Sequence, residues 1–315
     1  MMKVIELTYP VELTKNNLPE TVGAIGFFDG IHIGHQQVIQ TAIDEAKERN
    51  MECAVITFHP HPSVVLKGAT DVQYITPLDE KKEILQDYQV DRLYVIQFNQ
   101  ELSKLSPQSF IDHYIIGLNI KHLVGGFDYT YGYKGKGNME NIIDYDRGML
   151  THEAVEQVTL DGEKISSTRI RKLLQKGEMQ KVSELLGRPY TFKSTVIKGD
   201  QRGRELGYPT ANLKVAKNVI VPGIGIYAAK VKYKGDVYMG MASIGTNPTF
   251  VETDLLSVEV NILDFNQQIY GEELEVEWHC YLRGEVKYEG AEALIEQLAL
   301  DEQNTREYFE HHNNN

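Results

Sequence analysis

The sequence of 315 residues predicts two domains: an α/β domain built on a parallel sheet, followed by a small antiparallel β-barrel with a C-terminal helix. Three observations carry this prediction. In the first part of the chain, short apolar strands alternate with segments of helical periodicity, which is typical of a parallel sheet covered by helices on both faces. Beyond Gly187, short alternating strands follow one another and are joined by turn residues, as in a small barrel. Residues 289–303 then have the spacing of a closing helix.

The elements of the first domain follow from apolar periodicity. Its predicted strands are residues 22–27, 52–58, 91–98, 120–127 and 154–158. Predicted helices begin near His35, Pro77 and Ser106, where apolar residues recur at helical spacing. Because ligands of such a sheet bind beyond the carboxyl ends of the strands, we expect one site at that edge.

The second domain begins where the periodicity changes. Its predicted strands are residues 226–233, 237–243, 257–265 and 274–281. Gly187 and Pro189 end the helical stretch before them, so the boundary is placed there. The first domain is then residues 1–186 and the second residues 187–310. The chain is long enough for each domain to have its own core.

Composition argues against several classes of protein. A net charge of −13 and a pI of about 5.3 disfavour a general nucleic-acid binder or a binder of anionic membranes. The two cysteines, Cys53 and Cys280, lie far apart in apolar stretches, which predicts reduced thiols and no disulfide framework. We find no signal peptide and no membrane span in the sequence, so we expect a cytoplasmic protein. The oligomeric state, a homo-oligomer included, stays open.

The turn after the first predicted strand carries the strongest chemical signal. Its residues are GFFDGIHIGH, from Gly26 to His35. The free N–H groups and the dipole at the start of the following helix attract anions, so a phosphate would fit there. His32 and His35 are three residues apart and can face one ligand as hydrogen-bond donors or as cations. A surface pair of histidines is the commoner outcome of such spacing, and a metal site is the least expected, because no cysteine or acidic cluster completes it.

Three other segments follow strands of the first domain. The loop after Phe58 is HPHP, residues 125–138 combine aromatic residues with glycines and two lysines, and residues 165–171 are ISSTRIR. Aromatic rings can stack on a planar ligand, and hydroxyls with a guanidinium at a helix start suit a phosphate. Taken alone, the second segment is as well explained by a flexible surface loop and the third by a capped surface helix.

Two segments of the second domain also carry polar groups. Residues 199–213, GDQRGRELGYPTANL, combine glycines with basic residues that suit a mobile cover over phosphates. A charged glycine hairpin explains the first part of this segment equally well, but it explains PTAN poorly. Glu259 lies between valines in a predicted strand, where a carboxylate is more often solvated on the outer face.

These motifs resemble, in order and spacing, those of the bacterial bifunctional riboflavin kinase/FAD synthetase family. FDGIHIGH is similar to the HxGH signature of its adenylyltransferase half, residues 125–138 to GxDFxFG, and residues 165–171 to ISSTxxR. PTAN at residues 209–212, NPTF at residues 247–250 and LRGE at residues 282–285 resemble segments of its kinase half. The resemblance extends from about residue 26 to residue 297. Two positions depart from it: Lys136 replaces a common Arg, and Asn261 replaces a common His.

The resemblance implies a Rossmann-like nucleotidyltransferase domain followed by a riboflavin kinase barrel. The barrel would transfer the γ-phosphate of ATP to riboflavin with Mg²⁺, giving FMN. The first domain would join AMP from a second ATP to FMN, giving FAD and pyrophosphate. The implied partners are these small molecules, without nucleic acid or membrane.

The resemblance also implies roles for individual residues. The implied catalytic residues are His32, His35 and Arg169 in the first domain and Glu259, as the base, in the second. The implied ATP- and phosphate-binding residues are Gly26, Phe28, Asp29, Gly30, Gly34, Ser167, Thr168, Lys198, Gly199, Arg202 and Gly207. The implied flavin-binding residues are Phe58, His59, His61, Asp128, Tyr131 and Arg283, and the implied magnesium ligands are Thr210 and Asn212.

Two alternatives stay open at this point. The chain could be an FMN adenylyltransferase with an impaired kinase domain, for which Asn261 is the only hint in the sequence. It could also be a non-catalytic flavin-binding regulatory protein. The implied magnesium ligands Thr210 and Asn212 and the implied base Glu259 argue against the second alternative, because a binding module needs neither a metal site nor a base.

Overall fold

The computed structural model describes residues 1–11, 17–199, 202–246 and 256–312, with Arg202 described by its backbone alone. Contacts divide the chain into two compact units, Met1–Ser167 and Thr168–Asn315. The predicted boundary at residues 186/187 stays a prediction. Helix α6 (Met179–Leu186), which lies before that boundary, packs on barrel strands of the second unit. It ends at Gly187, whose φ is 70°. No helix in the described ranges is both long and apolar enough to cross a membrane.

The first unit is built on a parallel sheet, as the apolar runs predict. Its strand order is β1-β4-β3-β2-β5-β8, and every neighbouring pair is parallel. Two short antiparallel hairpins, β6 with β7 and β9 with β10, lie outside this sheet. The strands are β1 (Lys3–Leu7), β2 (Thr21–Ile25), β3 (Glu52–His59), β4 (Arg92–Gln97), β5 (Ile120–Gly126), β6 (Thr130–Tyr131), β7 (Gly137–Asn138), β8 (Thr151–Val155), β9 (Thr159–Leu160) and β10 (Glu163–Lys164).

Helices cover both faces of the sheet, with a hydrophobic core under each. Buried residues of α1 and α3 belong to one core, and buried residues of α4 belong to the other. The last helix continues as a π-helical segment, Asp112–Ile116, and Ser106 caps its start as predicted. The helices are α1 (Ile33–Arg49), α2 (Pro62–Lys67), α3 (Leu78–Asp87) and α4 (Pro107–Ile111), and short 3₁₀ turns cover Leu102–Lys104, Tyr133–Gly135 and Ile142–Asp144.

The edges of the sheet differ from the prediction. Strand β1 was not predicted, and β8 covers Thr151–Val155 instead of residues 154–158. Both are edge strands in which most residues are exposed or half-buried, so neither has the continuous apolar run of the central strands. The central strand β2, in contrast, is buried throughout.

The second unit contains the predicted antiparallel barrel. The barrel closes in the order β11-β12-β15-β14-β13-β16, with β11 paired to both β12 and β16. Trp278 is fully buried with Phe192 and Tyr227 packed against it. The strands are β11 (Tyr190–Ile197), β12 (Thr210–Lys214), β13 (Gly225–Tyr233), β14 (Asp236–Thr246), β15 (Leu256–Ile262) and β16 (Glu273–Arg283).

In the described part of the second unit, three helices accompany α6. They are α5 (Ser167–Lys176), whose first residue belongs to the first unit, α7 (Arg202–Glu205) and α8 (Ala291–His312). The closing helix α8 is longer than the predicted residues 289–303. The prediction of one loop from residue 199 to residue 213 was wrong at its end, because Thr210–Leu213 belong to β12. Polar residues of PTAN interrupt the apolar alternation that would have indicated this strand.

Candidate active sites

The turn after β2 is held in an unusual backbone conformation. Phe28 and Ile31 have φ angles of 52° and 41°, in the left-handed region that non-glycine residues seldom adopt, and Gly30 has a φ of 90°. The ring of Phe28 is buried and folds back over Gly26, where a Cβ atom would lie 2.8 Å from it. Such strain persists only where the surrounding structure holds it, and it is common at functional sites.

This turn delivers His32 and His35 to the start of α1. His32 caps the helix, and its Nδ1 accepts the backbone N–H of His35 at 3.2 Å. The two imidazole rings stack with centroids 3.6 Å apart, and Phe28 contacts the second ring edge-on. A Cβ atom on Gly34 would lie 3.3 Å from the His32 ring, so a glycine leaves the room that the stacking needs.

The electrostatics of this site favour a neutral His35. Burial is the main cause that holds the pKa of His35 well below its ordinary value of 6.5, and the neighbouring His32 ring and the ammonium groups of Lys81 and Lys164 lower it further. Its buried Nδ1 has no hydrogen-bond partner among the described residues. An imidazole in this state can donate one hydrogen bond and accept another, which suits a group that meets a phosphate without forming an ion pair.

Asp29 and Ser167 connect the turn to two other segments. Oδ1 of Asp29 accepts the backbone N–H groups of Ile75 and Thr76 at 3.0 and 3.1 Å. The hydroxyl of Ser167 donates to the Asp29 carbonyl oxygen at 2.8 Å, which ties this last residue of the first unit to the turn. Phosphate binding by Asp29 and Ser167 stays a prediction, but their hydrogen bonds give both a place in the architecture of the site.

Thr168 and Arg169 follow Ser167 in the first turn of α5 and belong to the second unit. Their position next to Ser167 in the sequence is what the motif requires. Their contact with a phosphate stays a prediction.

The predicted flavin-binding residues of the first unit lie in several environments. Phe58 and Tyr131 are buried in the core, each packed on Phe110. The ring of His61 caps α2 through Nδ1 and meets Phe27 edge-on at 4.7 Å. His59 packs on Tyr74, and Asp128 forms an ion pair with Lys164. Flavin binding by these five residues stays a prediction. Because Phe58 and Tyr131 are buried, these two would support the flavin site from the core.

In the barrel, the predicted base and metal ligands lie on two paired strands. The Thr210 hydroxyl donates to Oε2 of Glu259 at 2.9 Å, and Asn212 lies opposite Glu259 in the register of β12 and β15. A Cβ atom on Gly199 would lie 2.3 Å from the Asn212 amide, so the backbone of Gly199 lies close to this side chain. Asn261 is buried and donates from Nδ2 to the Pro209 carbonyl oxygen at 2.7 Å. Asn261 therefore holds the residue before Thr210 in place.

These side chains fit a magnesium ion that ATP brings with it. The Thr210 hydroxyl and the Asn212 amide supply hard oxygen donors, which Mg²⁺ prefers, and phosphate oxygens commonly complete its shell. In the described part of the chain, no group of three His, Cys, Asp or Glu residues could hold a metal by itself. The chemistry of these donors therefore suits a metal that is shared with a nucleotide.

The roles of the other predicted residues of the barrel stay predictions. Arg283 is held by Asp301 in a bidentate ion pair, with Nη2 to Oδ2 at 2.6 Å and Nε to Oδ1 at 2.9 Å, so it anchors α8. Its contact with flavin stays a prediction. Lys198 is exposed beside Gly199, and Gly207 has a φ of 85° that suits glycine. The Arg202 side chain and the NPTF segment at residues 247–250 lie outside the described residues.

Sequence reasoning missed Lys81. It is 3% exposed, and its Nζ lies under the turn, 2.7 Å from the Phe27 carbonyl oxygen. The signal was its place on the apolar face of α3, three residues after Leu78 and four before Leu85. Lysine side chains are almost never fully buried unless they are paired.

The fold and the two sites define a class of protein: a two-domain transferase of phosphorus-containing groups, with a nucleotide site in the α/β domain and a second site in the barrel. The FAD synthetase family model matches residues 14–169, and the riboflavin kinase family model matches residues 186–309. The bifunctional riboflavin kinase/FMN adenylyltransferase of Listeria monocytogenes is 46% identical over 309 residues, covering 98% of each chain. The Bacillus subtilis protein of the same name is 45% identical over 311 residues, again covering 98% of each.

The chain belongs to the bifunctional riboflavin kinase/FMN adenylyltransferase family. The predicted family is therefore confirmed. A solved Streptococcus pneumoniae structure, described as a macrolide-efflux protein, is 34% identical with a TM-score of 0.88 and covers 97% of this chain and 99% of its own. That likeness shows that both domain folds are shared.

Proposed function

We propose that the barrel phosphorylates riboflavin to FMN with ATP and that the α/β domain adenylylates FMN to FAD, releasing pyrophosphate. The observation that carries this proposal is that one chain holds two pairs of predicted site residues in contact: the stacked His32 and His35 at a helix start, and Thr210 hydrogen-bonded to Glu259. We place the enzyme in the cytoplasm, where its small-molecule substrates are available.

In the kinase reaction, Glu259 is the general base. Its carboxylate accepts the proton of the riboflavin 5′-hydroxyl while that oxygen attacks the γ-phosphorus of ATP. The hydrogen bond from Thr210 orients the carboxylate, and Asn261 fixes the segment that carries Thr210. Thr210 and Asn212 would hold Mg²⁺, which neutralises charge on the phosphates when it is bound.

In the adenylyltransferase reaction, a phosphate oxygen of FMN attacks the α-phosphorus of ATP and pyrophosphate leaves. No covalent enzyme intermediate is needed, because FMN supplies the nucleophile. His32, His35, Ser167 and Arg169 stabilise the charge that develops on the phosphate oxygens. The positive end of the α1 dipole lies at the same turn and favours an anion there.

The structure gives no support to an impaired kinase. The riboflavin kinase family model covers residues 186–309, and Asn261 donates a hydrogen bond to the Pro209 carbonyl oxygen at 2.7 Å. An asparagine at this position therefore performs a positioning task of its own.

A chromatographic time course tests the proposal. Purified protein is incubated with ATP, magnesium and either riboflavin or FMN, and the flavins are separated at intervals. We expect FMN and then FAD from riboflavin, and FAD alone from FMN. A protein that binds flavin but forms neither product, even with reduced flavin, would refute both activities. FAD from FMN without FMN from riboflavin would refute the kinase alone.

A further inference from the structure

Lys81 closes a small hydrogen-bonded triangle beneath the turn that carries the two histidines. Its Nζ donates to the Phe27 carbonyl oxygen at 2.7 Å and to Oγ1 of Thr57 at 3.3 Å. The Thr57 hydroxyl donates to the same carbonyl oxygen at 2.9 Å. The ammonium group also lies 4.9 Å from the centre of the Phe27 ring. Each group of the triangle therefore holds the other two.

We infer that Lys81 is a positioning residue for adenylyl transfer: its ammonium group fixes the Phe27 peptide, and through it the turn that presents His32 and His35 to the phosphates. The inference rests on the proposed function of the first unit and adds a residue to it. Lys81 acts through the turn, since its 3% exposure leaves it buried beneath the site.

The turn needs such support because its backbone is strained. The Phe27 carbonyl immediately precedes Phe28, and both Phe28 and Ile31 have positive φ angles. Non-glycine residues in this region cost about 1–3 kcal/mol each and persist only where other contacts hold them. A carbonyl that accepts both an ammonium N–H and a hydroxyl has its peptide plane fixed from two directions.

A second contact also joins the turn to α3. The Asp29 carboxylate reaches from the turn to the backbone N–H groups of Ile75 and Thr76, just before α3 begins. Lys81 reaches from α3 back to the turn. Turn and helix thus hold each other at two points. A displacement of either reaches the start of α1, where His32 lies.

The positive charge has a second effect. Three titratable groups interact with Lys81 from the elements packed around it: Asp29 from the turn, His35 from α1 and His59 from the end of β3. The ammonium lowers the pKa of both histidines and thereby favours their neutral forms. Burial, partly offset by Asp29, lowers the pKa of Lys81 itself from 10.5 to about 8.

An apolar side chain would be the cheaper occupant of this position. Burying a charge costs free energy that hydrogen bonds to neutral oxygens only partly recover, so replacing buried ionic groups by apolar ones often stabilises a protein. A lysine that is buried under a ligand-facing turn is therefore better explained by its effect on the site than by stability.

The test compares Lys81→Met with Lys82→Met in the full-length protein. Lys82 is the next residue on α3, pairs with Asp79 at 3.0 Å on the same helix, and lies outside the triangle. FAD formation from FMN and FMN formation from riboflavin are measured on the same samples, across a pH series. Riboflavin phosphorylation reports that the rest of the chain is intact, because it takes place in the other domain.

We expect Lys81→Met to lower kcat of FAD formation by about 10²-fold, as misplacement of a site by an ångström does, with riboflavin phosphorylation unchanged. The wild type and Lys82→Met should lose FAD formation as pH rises through about 8, when Lys81 loses its proton, and Lys81→Met should lack this alkaline limb. An unchanged kcat, an equal loss in Lys82→Met, or a retained alkaline limb would each overturn the inference. A wild type that forms no FAD would instead refute the proposed function, and the inference with it.

Thr57→Val keeps the inference testable if Lys81→Met does not fold. Valine has nearly the shape of threonine but removes one acceptor from the charged form of Lys81. The pKa of Lys81 must then fall, and the alkaline limb of FAD formation should move to lower pH. A merely structural role for Lys81 predicts no such movement, so a limb at the wild-type position overturns the inference.

Discussion

Nδ1 of His32 accepts the backbone N–H of His35, and the two rings stack at 3.6 Å. A ring nitrogen that accepts a hydrogen bond carries no proton, so this contact places the proton of His32 on Nε2. The low pKa of His35 makes its ring neutral too. Two neutral donors fit the proposed reaction, because they stabilise charge developing on phosphate oxygens without binding the pyrophosphate product as a cation would.

Removing the first of these rings should stop FAD formation selectively. We expect His32→Ala to lower kcat of FAD formation by about 10²–10³-fold, the usual cost of one donor to a developing anion. Riboflavin phosphorylation should be unchanged, since it uses the barrel. His311→Ala, on an exposed histidine in the last turn of α8, is the control. An equal loss of both activities in His32→Ala would show that the substitution acts on folding instead.

The low pKa of His35 also makes stability depend on pH. The folded chain has a lower pKa at this site than the unfolded chain, so the unfolded chain binds more protons below about 6.5. The stability of the first unit should therefore decrease as pH falls below that value, by up to about 1.4 kcal/mol per pH unit from this group. His35→Asn should flatten this dependence.

One tryptophan makes the two units distinguishable in this experiment. Trp278 lies in the barrel, so its fluorescence follows the second unit, while circular dichroism follows both. Unfolding that is seen by circular dichroism but not by fluorescence therefore reports the first unit. The predicted pH dependence should appear in that part of the transition. Equal slopes with pH in the wild type and His35→Asn would contradict the prediction.

The sequence predicted best those elements whose periodicity is uninterrupted. Helix α1, predicted from its apolar spacing, buries Val38, Ile39, Ala42, Ile43 and Ala46. Among the strands that were missed, β1 and β12 have different reasons. The first is a mostly exposed edge, and the second carries Thr210 and Asn212, whose polar side chains serve the proposed site. Function and exposure both remove the apolar pattern that sequence reasoning depends on.

The same limit applies to the sites. The motif around His32 and His35 could be found because its residues are neighbours in sequence. The contacts of Asp29 with Ile75 and of Lys81 with Phe27 span 46 and 54 residues, and nothing local indicates them. Such links depend on the order of strands in the sheet, which a single sequence does not specify.

Glu259→Gln should separate the two activities in the opposite sense. Glutamine keeps the shape of the side chain but cannot take a proton, so kcat of riboflavin phosphorylation should fall by about 10²–10⁴-fold. FAD formation from FMN should be unchanged. Glu275→Gln is the matched control, because Glu275 is a carboxylate of the same barrel that pairs with Lys232 at 2.9 Å. Retained phosphorylation in Glu259→Gln would exclude Glu259 as the base.

Asp301→Asn should destabilise the barrel more than the loss of an exposed ion pair would. Asp301 is 1% exposed and accepts three hydrogen bonds from Arg283, and Gln297 donates to the same carboxylate at 2.9 Å. Breaking a buried pair leaves a guanidinium without its partner, so we expect a loss of about 3 kcal/mol in the free energy of unfolding. Urea titration followed by Trp278 fluorescence measures it.

The control for this experiment is Asp264→Asn. Asp264 also pairs with an arginine, Arg306 at 2.9 Å, but on the surface, where solvent screens the interaction. Its unfolding midpoint should match that of the wild type. Asp301 holds Arg283, which fixes α8 to the end of β16 and is a predicted flavin-binding residue. Asp301→Asn should therefore also weaken riboflavin phosphorylation, whereas Asp264→Asn should not. Equal midpoints for the two variants would show that the buried pair contributes no more than the surface pair, and that α8 is held by its apolar contacts alone.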